Sequence, residues 1–248
     1  GHAPATTPTH GSAHQIETPG GRVFGLRSAQ TAPDGGRKIC TEKIKGKPMK
    51  TTNFTPAEME ARVARFKSIE PQSSSYDAEV GIPKEVYEMM TARSLYLLMS
   101  PENQGGPMAQ NPAVTTQDKM SVIIAECPPG DGPLLHAHQF TRETFFCLNG
   151  RFKIQWGDKG ENELFLDPLD MIAVPPGVVR RFENVSDETA RLLVWINGDS
   201  EEAFNDIDHP QIEADRLAEK FGDETLEKLR GIGVSFEAGV EDSRDAAE

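Results

Sequence analysis

The chain has 248 residues, of which 37% are hydrophobic and 26% charged, a soluble globular composition with room for one large domain, or an ordinary domain with extensions. Its formal net charge of -13 argues against nucleic-acid binding, which needs a basic surface to release counterions. No apolar run reaches membrane-spanning length, so no integral membrane segment is expected.

The charge is unevenly placed. Residues 1–50 carry eight Lys/Arg against three Asp/Glu, and residues 199–248 carry sixteen acids against five bases. The plain reading is two solvated ends, although opposite end charges also suit a homodimer in which one end reaches across to the partner. Cys40, Cys127 and Cys147 are odd in number and widely spaced. They argue against a disulfide framework or a structural zinc site and fit a reducing, cytoplasmic compartment. The small, Ala/Pro/Thr-rich start also suits a mature secreted chain.

Taken in order, residues 1–36 are rich in Pro, Thr, Gly and His and are expected to form a flexible arm. That leaves His2, His10 and His14 in poor positions for a rigid site. Residues 37–110 are expected to form a helical extension packing on a barrel. Thr55-Pro56-Ala57-Glu58 supplies an N-cap, a Pro at the first helical position and a capping-box Glu, and Met59, Val63 and Phe66 follow at helical spacing. A second helix is expected from Pro83, with Val86, Met89 and Met90 inward, and Leu95–Met99 reads as an edge strand. Residues 111–198 change texture. Short apolar runs alternate with turn residues such as Asn149-Gly150 and Pro175-Pro176-Gly177, the pattern of an antiparallel sandwich or barrel. Residues 199–248 form an acidic tail in which Ile212, Leu217, Phe221, Leu226 and Leu229 predict one or two amphipathic helices ending near Gly231.

The chemistry sits between Gly130 and Gly150. His136 and His138 are two apart and share one face of a strand. Glu143 follows on the next strand, with Phe145 and Cys147 on its face. Two imidazoles and a carboxylate converging inside a barrel are a donor set for Fe(II), Mn(II), Ni(II), Cu(II) or Zn(II).

The spacing G-x5-H-x-H-x4-E-x6-G, carried by Gly130, His136, His138, Glu143 and Gly150, resembles the first motif of the cupin superfamily at every defined position. Pro175, Gly177 and Asn184 match the second motif, where Leu169 replaces a Gly and Arg180 replaces the last His. The resemblance covers about residues 119–198. It implies a mainly β protein, a double-sheet jelly-roll barrel with the helical extension before it and the acidic tail after it. It also implies a metal held by three His and one Glu, of which His136, His138 and Glu143 remain. Two His and one carboxylate still form a triad with open coordination sites, and Fe(II) is favoured. His209 is set aside as a replacement because it follows the barrel, in Asp208-His209-Pro210.

Arg180, on the face of Val178 and Phe182, would lie inside. A buried guanidinium needs a partner: Glu143, Glu126 or an anionic substrate, for which Arg180 would be the catalytic and recognition group. Phe145 and Phe182 would form an apolar wall, and Cys147 and Gln155 are further candidates for the substrate pocket. The expected function is that of a metal-dependent cupin enzyme acting on a small organic molecule by O2-dependent oxidative cleavage. The alternatives are a non-redox isomerase, lyase or cyclase, and a non-catalytic binding cupin with Arg180 as the recognition group.

Overall fold

The computed structural model describes residues 50–72, 81–101, 111–116, 119–198 and 206–239. The arm expected over 1–36 and the tail segments 199–205 and 240–248 lie outside them. The described elements belong to one unit that begins at Thr52.

Alternating burial builds the barrel. In β5 (Arg142–Asn149) Glu143, Phe145 and Cys147 are buried, and in β9 (Arg180–Asn184) Arg180, Phe182 and Asn184 are buried. The larger sheet joins β1 (Ser94–Pro101), β2 (Val114–Thr116), β3 (Met120–Cys127), β5, β8 (Met171–Val174) and β10 (Ala190–Asn197) in the order β2-β1-β3-β10-β5-β8. The smaller joins β7 (Asn162–Leu166), β6 (Phe152–Trp156) and β9. Inward residues of the two sheets meet in one core. Phe145, Leu192 and Val194 come from the larger sheet, and Phe152, Ile154 and Phe182 from the smaller. This is the double-sheet jelly roll that the motif spacing implied. A third pair, β4 (Ala137–His138) with β11 (Ile207–Asp208), extends the barrel at one mouth.

Two parts of the extension differ from expectation. The capping box at Thr55 forms, with Glu58 N–H donating to Thr55 Oγ1 at 3.3 Å and Thr55 N–H to Glu58 Oε2 at 2.7 Å. The helix it opens, α1, nevertheless stops at Pro56–Glu60, and Met59 and Val63 are 53% and 44% exposed. A cap nucleates a helix, but only a packed face sustains one, and these side chains have no core to meet. The strand at 94–101 is not an edge: β1 lies between β2, parallel to it, and β3, antiparallel. The span read as a helical extension therefore supplies an inner strand of the barrel sheet.

The second helix, α2 (Lys84–Met90), buries Val86 as its pattern demands. In the tail, α3 (Gln211–Phe221) and α4 (Asp223–Gly231) bury Leu217, Leu226 and Leu229. These three helices share a second core that includes Leu134 and Phe236. No described helix is long and apolar enough to cross a membrane.

Two motif positions have a steric explanation. Gly150 turns at φ +73°, and a Cβ there would lie 2.4 Å from the Ala190 Cβ. Leu169 occupies the position where the cupin pattern has Gly, and it adopts φ +77° with its N–H bound to the Cys147 carbonyl at 2.8 Å. A left-handed conformation costs a Cβ-bearing residue roughly 1–2 kcal/mol, and Leu169 gains little from burial because it is 72% exposed. Leu169→Gly is therefore expected to stabilise the fold by about 1 kcal/mol, read as a higher urea midpoint at unchanged m-value.

Candidate metal centre

His136 and His138 enter the barrel mouth on and beside β4, and Glu143 rises from β5. The three are 8%, 3% and 5% exposed. A ring nitrogen of each imidazole and a carboxylate oxygen of Glu143 all lie within 4.8 Å of one another. The hydrogen bonds decide which nitrogens these are. His136 Nδ1 lies 2.8 Å from the Leu134 carbonyl, and His138 Nδ1 lies 2.7 Å from Asp206 Oδ1. Both partners only accept, so both Nδ1 atoms donate, and each ring keeps its lone pair on Nε2. Burial first, then the nearby Arg180 charge, holds His136 well below the ordinary imidazole range, so the ring is neutral and competent as a ligand.

The acidic tail supplies the support. Asp206 Oδ2 accepts from the N–H groups of Phe140 at 2.6 Å and Thr141 at 2.9 Å, while Oδ1 holds His138. Burial pushes the Asp206 carboxyl up, but the His138 bond and these N–H groups outweigh it and bring it down to about 2. A carboxylate that orients a metal-binding imidazole typically accounts for about 10–100-fold in affinity, and Asp206→Asn is expected to weaken zinc binding by about that factor, measured by competition with a chromophoric chelator.

Asp206 is the residue that sequence reasoning passed over, because its surroundings read as a solvated acidic run, and His209 was weighed but set aside because it follows the barrel. His209 is not remote from the barrel. The antiparallel register pairs Ile207 with His138 and Asp208 with Ala137, which carries His209 opposite His136. The two rings lie 6.0 Å apart. His209 is nonetheless outside the group of donors that come within 4.8 Å of one another.

Arg180 is inside, as the motif spacing required, and Glu143 is its partner. Its Nε and Nη2 donate to Glu143 Oε2 at 3.1 and 2.6 Å, and Nη1 donates to the His136 carbonyl at 3.2 Å. Backbone bonds between His136 and Arg180, at 3.0 and 2.8 Å, lock the two segments together. The guanidinium does not line the cavity. The guanidinium expected to act in catalysis and substrate binding is thus engaged by Glu143 and the His136 carbonyl and holds that carboxylate in place. Glu126, the other acid considered, pairs at the surface with Arg191 at 2.7 Å.

A cavity of about 280 Å³ opens beside the triad. Its walls are mainly apolar, drawn from α2 and its flanks (Ile82, Val86), from β1 and β3 (Leu97, Ile123), and from the tail (Leu229, Val234). Of the four candidates for the substrate pocket besides Arg180, only Phe182 lines it. Phe145 is packed behind Phe182, 5.3 Å between ring centres. The Cys147 thiol is turned to the carbonyls of Asn149 and Gly150 at 3.5 and 3.7 Å, near the far turn. Gln155 donates to the Gly160 carbonyl at 3.3 Å. The strand faces were read correctly, but the cavity is capped by helices rather than continued down the barrel.

Residues 123–196 match the family model described as the Cupin domain. The barrel belongs to the cupin superfamily. A stretch of 95 residues is 32% identical to quercetin 2,3-dioxygenase of Bacillus subtilis (strain 168), covering 38% of this chain and 27% of that protein. The chain thus spans about a quarter of that relative's length. Among solved structures, the capsular polysaccharide assembling protein CapF of Staphylococcus aureus aligns at 21% identity with a TM-score of 0.34, over 38% of this chain and 29% of its own. The Cnp3 cupin domain of Schizosaccharomyces pombe aligns at 15% identity with a TM-score of 0.31, over 42% of this chain and 66% of its own.

The cupin donor set fits a divalent transition metal. Two imidazoles and one carboxylate suit Fe(II), Mn(II), Ni(II), Cu(II) or Zn(II) better than Mg²⁺ or Ca²⁺, which take oxygen ligands. Two Arg180 bonds fall on Oε2 of Glu143, the oxygen that lies 4.0 Å from His136 Nε2. Among the described residues no other group of His, Cys, Asp or Glu meets the same distance criterion.

Proposed function

We propose that this cupin is a metal-dependent dioxygenase that cleaves a small, largely apolar organic molecule, with both atoms of O2 entering the products so that no external reductant is needed. The observation that carries the reading is the buried pair of imidazoles and one carboxylate set against an apolar cavity of about 280 Å³. The partial similarity to quercetin 2,3-dioxygenase points the same way. When bound, the ion would supply Lewis-acid polarisation of a substrate oxygen and, if redox-active, a partner for O2.

The protein's own part is positioning and exclusion of water. The apolar walls strip water from the substrate and strengthen polar interactions at the donor end. Glu143 is pinned by Arg180 and cannot swing, so it serves as a ligand and not as a mobile base. His138 is held by Asp206 and His136 by the Leu134 carbonyl, which keeps both lone pairs aimed before any ion arrives. Fe(II) remains the favoured ion.

The test is metal analysis of the purified chain, followed by oxygen-electrode screening of catechols, diketones and enediols with the native ion. Metal-dependent O2 uptake at one O2 per substrate consumed is expected. One ion per chain with substrate turnover but no O2 uptake would replace the proposal with a non-redox reaction. Absence of any tightly bound metal would replace it with a binding cupin.

A further inference from the structure

His209 has the geometry of a working group that the triad does not use. It is 3% exposed, lines the cavity with its ring 6.0 Å from that of His136, and follows directly on the register that pairs Ile207 with His138. Directly opposed residues of an antiparallel pair project to the same side, so His209 shares the cavity face with His136 and His138. Its Nδ1 lies 2.9 Å from the Leu135 carbonyl, which can only accept. The proton is therefore on Nδ1, and Nε2, at the other edge of the ring, presents an acceptor lone pair. The Phe236 ring packs 5.5 Å away at 31° and limits rotation. Because His209 falls outside the 4.8 Å donor group, its lone pair is available to something other than the ion. Among the described residues no Lys or Arg lines the cavity, so an anionic guest would find no counter-charge among these wall residues.

We infer that His209 is a substrate-orienting residue: its Nε2 accepts a hydrogen bond from the hydroxyl of an uncharged phenolic or enolic molecule whose apolar body fills the cavity beside the triad. The inference rests on reading this cavity as the substrate site. It assigns the acidic tail a direct part in recognition, since the tail supplies both the acceptor and, through Asp206, the support of His138.

Phenol and anisole test it, because they share a ring and an oxygen and differ in the O–H. The zinc-loaded full chain is titrated with each by calorimetry. Wild type is expected to prefer phenol by about tenfold, the size of one well-made hydrogen bond. His209→Phe should bring the two affinities together, while His209→Gln, which keeps a carbonyl acceptor, should retain part of the preference. In wild type with isotope-labelled histidine, the His209 Nε2 resonance should move on addition of phenol and stay still with anisole, a reading that needs no variant to fold. An unchanged preference in His209→Phe would overturn the inference. So would a His209 resonance that moves on zinc loading alone, with tenfold weaker zinc binding in His209→Phe, which would make the ring a fourth ligand. If wild type binds zinc and both compounds equally, the inference alone fails. If it binds neither compound, the reading of the cavity as a substrate site fails with it.

Discussion

His136→Ala is expected to lower divalent-metal affinity by well over about a hundredfold, more than the loss of an orienting partner costs. The ring contributes one of three donors, and no neighbour can take its place. His209 lies outside the group of donors within 4.8 Å of one another, and Arg180 has no lone pair to give. Linkage makes the loss visible without any substrate. Zinc at about a thousand times its dissociation constant should stabilise wild type by about 4 kcal/mol, raising the thermal midpoint. His136→Ala should show almost no shift at the same concentration. Asp206→Asn should fall between them, because it loosens a ligand without deleting one. A His136→Ala chain that still takes up one ion with wild-type affinity would place the metal elsewhere and sink the assignment.

The parts of this site that were legible in the sequence are those written within one or two strands. His136 and His138 share a face because strand periodicity is two, and Glu143 joins them from the neighbouring strand with a spacing that only the barrel turn explains. The position of Arg180 inside the barrel followed from the Pro175-x-Gly177 spacing in the same way. What was not legible depends on chain returning from far away. Asp206 meets His138 across 68 residues and His209 meets Leu135 across 74. They flank a strand of two residues, Ile207–Asp208, too short to leave a periodic trace. The same limit explains the pocket. Phe145 and Cys147 were placed on the correct face, but the cavity is displaced toward α2 and the tail helices, whose docking no local pattern encodes. At Thr55 the error ran the other way. A complete capping signal was read as a longer helix, although Met59 and Val63 stay exposed and of that face only Phe66 finds a partner, in Tyr96.

Arg180→Met is expected to destabilise the fold by about 3–5 kcal/mol, the usual result of removing one partner from a buried ion pair. The Arg180 and Glu143 side chains are 2% and 6% exposed, so the carboxylate left behind has no water to replace the guanidinium. Three bonds go with it, two to Glu143 Oε2 and one to the His136 carbonyl, and the seam between β9 and the β4 segment loosens. The double variant Arg180→Met/Glu143→Gln should recover much of the loss, because an amide pays far less for burial than an unpaired charge. The difference between the single and double variants, read by urea unfolding of metal-free protein, isolates the coupling. Zinc should stabilise Arg180→Met more than it stabilises wild type, since a bound cation gives Glu143 back a counter-charge. Arg180→Lys keeps the charge but not the fork, and should lie between wild type and Arg180→Met. The opposite pattern, with unchanged stability and a raised KM in Arg180→Lys, would return Arg180 to substrate recognition. The hydrogen bonds favour the structural outcome: a guanidinium that already binds Glu143 at 2.6 Å and lies off the cavity wall can reach a substrate only by releasing the ligand it holds.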